Sequence, residues 1–468
     1  MDALDLCFTP ATELASLIRS KQLAPSEVVD TVLKHVEECE PQLNACTVVV
    51  ADAAREQAQA ADAAVAAGAQ LGPLHGVPVT IKDLFNVKGL PTESGSFTRA
   101  GQIADASAVF VERLVSAGAI IIAKTTTSEF GWKGVSQSPL SGITSNPWRH
   151  DWNAGASSAG AGAGAAAGYG PLHQGSDGAG SIRMPAHFCG VYGLKPSFGR
   201  IPNSPVRNND QSSHSGPMTR TVADAALMLQ VMSGPHARDH YSLESPPADY
   251  LRHLRDGVAG LKIAFSPDLG HARVDPEVAT LVAQAANTFA DLGATVEEIS
   301  PAWGPLGPDL IRYFWAAHEL ELEPLLDQWE AKMDPGLVAC IRSAEGTSAQ
   351  QYIRRRGDKL AYIDAIHQTF ESYDLMLTPA VSVAAFPAHQ LQPDHWPQHP
   401  WDWLSWAEFS YPFNFSHNPA ASIPCGFTAA GLPVGLQIVG PRMHDAQVLS
   451  ASAAFEQAQP WAHKRPQV

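Results

Sequence analysis

The most constraining feature of the chain is residues 155–168, GASSAGAGAGAAAG, where every side chain is that of Gly, Ala or Ser. Such a segment can be a flexible spacer, a phosphate-cradling loop, or a helix packed so tightly that nothing larger fits. A spacer is disfavoured because apolar and proline-containing sequence resumes directly on both sides. A phosphate loop of the G-x-x-x-x-G-K-[ST] type needs a lysine after the glycines, and none follows. A buried helix of small residues stands as a structural reading. It does not account for the second serine-bearing glycine turn that follows, GSDGAGSIR at 175–183, or for PAHFCGVYGLKPSFGR at 185–200.

Composition removes whole classes of function. With 45% hydrophobic and 17% charged residues, the 468-residue chain can bury a large core and is not disordered. Its six cysteines are scattered singly, which excludes a disulfide scaffold and suits a reducing compartment. A formal net charge of −16, with no Lys/Arg-rich run, argues against nucleic acid as a partner. Asp2, Asp5 and Glu13 occupy the start, where a secretory signal would carry basic and then apolar residues. No apolar stretch approaches the roughly 18 residues of a spanning helix. The expectation is a cytoplasmic protein without a membrane segment.

Periodicity predicts alternating helices and strands. Thr9 and Pro10 read as an N-cap and first position of a helix to about Lys21, and Pro25 opens a second. Residues 46–50, 77–82 and 119–124 read as strands, with helices over 51–68 and 105–117 between them. The second half repeats the rhythm: strands near 261–265, 296–299, 375–377 and 434–439, and helices over 275–292, 348–372 and 446–458. Tyr352, Leu360, Ile363 and Phe370 are the apolar residues of the 348–372 helix. Residues 392–412, with Trp396, Trp401, Trp403, Trp406 and Tyr411, read as a loop that packs over something. No linker is evident. The expectation is an α/β fold in one domain spanning 1–468, a mixed twisted sheet covered by helices.

The two glycine turns resemble those of the amidase signature family, whose pattern is G-G-S-S-G-G, a small-residue helix, then G-T-D-x-G-G-S-I-R-x-P and G-L-K-P. GPLHGVPVTIKD at 72–83, GPMTRTVAD at 216–224, NPAASIPCGF at 418–427 and GLPVGLQIVG at 431–440 match further family segments in order. The resemblance covers essentially the whole chain, with a signature core at about 72–224. It implies an amide hydrolase in which Ser181 is the nucleophile, Lys82 the base and Ser157 the bridge between them. It also implies a cis Ala156–Ser157 peptide bond and an oxyanion hole of backbone N–H groups from Gly178, Ala179, Gly180 and Ser181. Ser158 is expected as a hydrogen-bonding neighbour, and Asp177 with Arg183 as a pair holding the loop. Methyl groups at Ala156 and Ala159, Ser176 in place of Thr, and Gly178-Ala179 depart from the pattern without removing a catalytic side chain.

A lysine works as a base only when neutral, whereas its free pKa is about 10.4. The apolar strand before Lys82 suits the burial that would lower it. The resemblance implies no cofactor, and the 18 histidines offer no metal spacing: His318-Glu319 lacks a second histidine, and His395 and His399 lie in a Pro-interrupted loop. Cys189 lies in the structural part of the signature, and no G-x-S-x-G elbow is present. The expected substrates are small-molecule amides, with esters and carbamates (urethanes) as further candidates, acted on by a monomer or homodimer. Phe314, Trp315 and the 392–412 segment either line an apolar entrance or fill the core. The alternative is a glutaminase subunit of a tRNA-dependent amidotransferase, which the lack of basic patches or an extra domain disfavours.

Overall fold

The small-residue run forms a helix, Ala159–Ala167, buried along its whole length in the computed structural model, which describes residues 2–209 and 211–468. Tight packing explains its composition. A Cβ on Gly160 would lie 1.9 Å from the carbonyl oxygen of Ala45, and one on Gly162 would lie 2.9 Å from Pro185 Cβ. Any larger side chain would force the helix off the sheet beneath it.

That sheet has eleven strands among the described residues. They are β1 (Cys46–Val49), β2 (Pro78–Lys82), β3 (Ile120–Thr125), β4 (Leu172–Asp177), β5 (Tyr192–Lys195), β6 (His214–Thr219), β7 (Lys262–Phe265), β8 (Thr295–Glu298), β9 (Leu375–Pro379), β10 (Ala420–Phe427) and β11 (Pro433–Val439). Their order is β1-β3-β2-β4-β6-β5-β10-β11-β9-β7-β8. β3, β2 and β4 run parallel, as do β9, β7 and β8, while the strands between pair antiparallel. The result is one large α/β domain around a mixed sheet. Every residue of β2 and β4 is buried, as central strands covered on both faces require. Because β2 and β4 are parallel neighbours, Lys82 and Ser176 emerge together at their C-terminal ends.

Most predicted elements appear within a few residues of their expected ends. Three details differ. Thr9 is not the N-cap of the first long helix, Ala11–Arg19; its hydroxyl donates to the Asp5 carbonyl instead. The N–H groups of Ala11 and Thr12, which lack partners within the helix, donate to the carboxylate of Asp224, a tertiary cap brought from the family-like 216–224 segment. The 348–372 helix spans Ala349–Thr369, but its buried residues are Lys359, Tyr362 and Ile366, and Leu360 is 58% exposed.

The tryptophan-rich loop packs inward, as its composition predicts. Trp403 and Trp406 are buried, and their indole N–H groups donate to the carbonyls of Trp132 at 2.8 Å and Leu391 at 3.0 Å. Among the described residues, no helix is long and apolar enough to cross a membrane. No group of three or more His, Cys, Asp or Glu among them is disposed to hold a metal ion.

Candidate active site

Lys82 ends β2 with its side chain completely buried. Its Nζ lies 2.7 Å from Ser157 Oγ, 3.0 Å from Ser158 Oγ and 3.0 Å from Ser176 Oγ. Burial lowers its pKa well below the usual lysine value; the positive charge of Arg207 adds to that effect and Asp177 opposes it. No carboxylate lies at ion-pair distance from it among the described residues. The lysine is therefore surrounded by hydroxyls, an environment that accommodates the neutral amine.

The hydroxyls are not equivalent. Ser158 Oγ donates its single proton to the Ser176 carbonyl and also accepts from the Ser176 N–H, so it can only accept from Lys82. Ser157 has no such commitment. Its hydroxyl is free to donate to a neutral Lys82 nitrogen, whose two N–H groups then face Ser158 and Ser176. The Ala156–Ser157 peptide bond is cis. Gly131 packs directly against this turn: a Cβ there would sit 3.1 Å from Ser157 Oγ and 3.0 Å from Leu84 Cδ1, at a φ of +83° that favours glycine.

Ser181 follows the second glycine turn, at the start of the helix Arg183–Cys189. Its carbonyl accepts from the Ser158 N–H at 3.2 Å, which ties the two turns together. Ser157, Ser176, Gly178 and Ser181 line one chamber of about 70 Å³, whose far wall includes Trp315 and Phe130. Of the aromatic groups expected at an entrance or in the core, Trp315 reaches the chamber. Phe314, Trp403 and Trp406 belong to the packed interior.

The proposed oxyanion donors require one correction. The N–H of Gly180 donates to Asp177 Oδ1 at 2.7 Å, so it is already engaged. Gly178, Ala179 and Ser181 remain the uncommitted donors among the described residues. Gly180 is instead required for shape, because its φ is +115° and a Cβ would lie 2.5 Å from Ser410 Oγ.

Asp177 and Arg183 pair in a fully buried fork with bonds of 2.9 Å and 2.8 Å. Arg183 also donates to the Ser410 carbonyl, Gln437 Oε1 and Asn414 Oδ1. Burial alone would raise the Asp177 pKa, but the Arg183 charge and hydrogen bonds override it and hold the carboxyl well below its usual range. Arg183→Met should cost about 3–5 kcal/mol by leaving Asp177 buried and unpaired. Urea unfolding should show the loss, and an unchanged midpoint would contradict it.

Sequence reasoning missed Ser176 as the third partner of Lys82, although its position in the second signature turn was visible. It also missed Gly131, Arg207 and Glu319. No local pattern marks these, because each arrives at the chamber from a separate loop or helix.

Comparison with known proteins places these features in a group. The Amidase family profile matches residues 27–449. An acylamidase of Rhodococcus erythropolis is 40% identical over 479 aligned positions, covering 100% of this chain and 98% of that protein. A glutamyl-tRNA(Gln) amidotransferase subunit of Moorella thermoacetica is 32% identical, with 99% of each chain covered. Among solved structures, a bacterial aryl acylamidase of the amidase signature family superposes with a TM-score of 0.91 at 31% identity, covering 97% of each chain. The fold, the two serine turns and the match over nearly the whole length lead to one assignment: the chain belongs to the Amidase family, the amidase signature enzymes that hydrolyse amides.

Proposed function

We propose that the chain hydrolyses small carboxylic amides through an acyl-enzyme, with Ser181 as nucleophile, Ser157 as proton bridge and Lys82 as base. The observation that carries this is the buried Lys82 nitrogen 2.7 Å from Ser157 Oγ, beside a chamber that Ser157 shares with Ser181. Ser181 Oγ attacks the amide carbon while its proton passes to Ser157, and the Ser157 proton passes to Lys82. The N–H groups of Gly178, Ala179 and Ser181 stabilise the negative charge that develops on the carbonyl oxygen. Reversal of the relay protonates the departing amine. Water then cleaves the ester to Ser181 by the same path.

Esters and carbamates present the same carbonyl to the same nucleophile and are proposed as secondary substrates. The six free thiols suit work in a reducing cytoplasm. The purified chain, alone, should release 4-nitroaniline from 4-nitroacetanilide and should turn over the matched aryl ester and carbamate. It should leave free glutamine untouched. Glutamine hydrolysis without anilide hydrolysis, or only with partner proteins present, would instead assign it as an ammonia-supplying subunit.

A further inference from the structure

We propose that Arg207 anchors a carboxylate carried by the substrate away from its scissile amide, so that acidic amides are preferred over neutral ones. The inference rests on the serine–serine–lysine chamber described above and names the substrate class for it. The 70 Å³ chamber adjoins an outer cavity of about 400 Å³, and the two share Leu84, Phe130, Arg207, Asn209, His318 and Glu319. Arg207 thus stands on the path a substrate takes to Ser181.

Its guanidinium is half-buried and poorly satisfied. It has five N–H donors. One nitrogen donates to the Leu84 carbonyl at 3.1 Å, and the group lies over the Phe85 ring at 5.0 Å. No carboxylate lies within 4.0 Å of it among the described residues. A charge drawn out of water without a counter-ion is unfavourable, and a guanidinium fork matches a carboxylate in two parallel hydrogen bonds.

The remaining charges around the passage act on it in both directions, Arg99 repelling it and Glu321 attracting it. Arg99 lines the outer cavity with its guanidinium over the Phe130 ring, adding positive charge. Glu321 lies at the exposed rim, outside ion-pair distance of Arg207. Glu319 is pushed up to about 8 by burial and by the nearby charges of Glu321 and Glu129, so it is largely uncharged at neutral pH. Among the described residues, the two guanidinium groups of Arg207 and Arg99 therefore face the passage against one exposed carboxylate, Glu321, which attracts Arg207 from beyond ion-pair distance.

The test uses two matched substrate pairs that differ by one charge. Glutaryl-4-nitroanilide is paired with its neutral isostere 5-oxohexanoyl-4-nitroanilide, placing the charge on the acyl side. N-acetyl-4-aminobenzoate is paired with 4-acetamidoacetophenone, placing it on the amine side. In at least one pair the acid should have a kcat/KM about tenfold higher, carried by KM, and added salt should erode that advantage. Arg207→Gln should bring the ratio close to one, and Arg207→Lys should keep part of it. The ratio cancels any common effect of the substitution on Lys82. Equal or reversed ratios in both pairs, or a ratio unchanged in Arg207→Gln, would overturn the inference while leaving the amidase mechanism standing. If the variant does not fold, the wild-type ratio and its salt dependence decide. Failure of the wild type to hydrolyse any of the four substrates, or undiminished hydrolysis by Ser181→Ala, would remove the chamber reading itself.

Discussion

Ser181→Ala is expected to lower amide hydrolysis by about 10⁴–10⁶-fold, because it removes the atom that becomes acylated and not merely a group that assists it. The oxyanion donors and substrate contacts survive in this variant, so a residual rate above that in water should remain. The loss should appear in kcat more than in KM. A phosphonate that labels serine nucleophiles should modify the wild type once per chain and the variant not at all. Turnover near that of the wild type would mean that another hydroxyl carries the reaction. Ser157 and Ser176 line the same chamber and are the residues to test next.

Lys82→Ala should cost about 10²–10⁴-fold in kcat, the range of a positioned general base. The pH profile gives the sharper result. Activity requires the neutral amine, so kcat/KM should rise with pH through the folded-state pKa of Lys82. Burial, reinforced by the Arg207 charge, places that pKa well below the ordinary lysine value, so the wild-type rate should already be substantial near neutrality. Removing the Arg207 charge takes away one contribution that disfavours the ammonium. The acid limb of Arg207→Gln should therefore move to higher pH. In Lys82→Ala the limb should disappear, leaving a residual rate that follows hydroxide. A limb that stays in place in Lys82→Ala would show that some other group titrates.

Much of the framework was legible in the sequence because it follows from local rules. Val77, Val79 and Ile81 alternate as a strand should, and β2 ends at Lys82 as that pattern predicts. The small residues of 155–168 demanded close packing, and Gly160 against the Ala45 carbonyl shows why. Other features were hidden for equally physical reasons. The cap of the Ala11–Arg19 helix comes from Asp224, 213 residues away from Ala11, so no nearby residue could announce it. Likewise, the family resemblance implies Gly180 as one of four successive oxyanion donors. Only the folded turn shows that Asp177 has taken one of them.

The sequence by itself therefore determined the class of fold, the two serine turns and the lysine at which β2 ends. These depend on side-chain period, side-chain size and backbone torsion, all of which are properties of short segments. Tertiary structure alone decided that Ser176 joins Ser157 and Ser158 around Lys82, that no carboxylate among the described residues lies at ion-pair distance from it, and that Arg207 and Glu319 line the chamber with Ser181. Proton position and charge depend on distances through space, and the hydrogen bonds of Lys82 alone reach residues up to 94 positions away, as at Ser176.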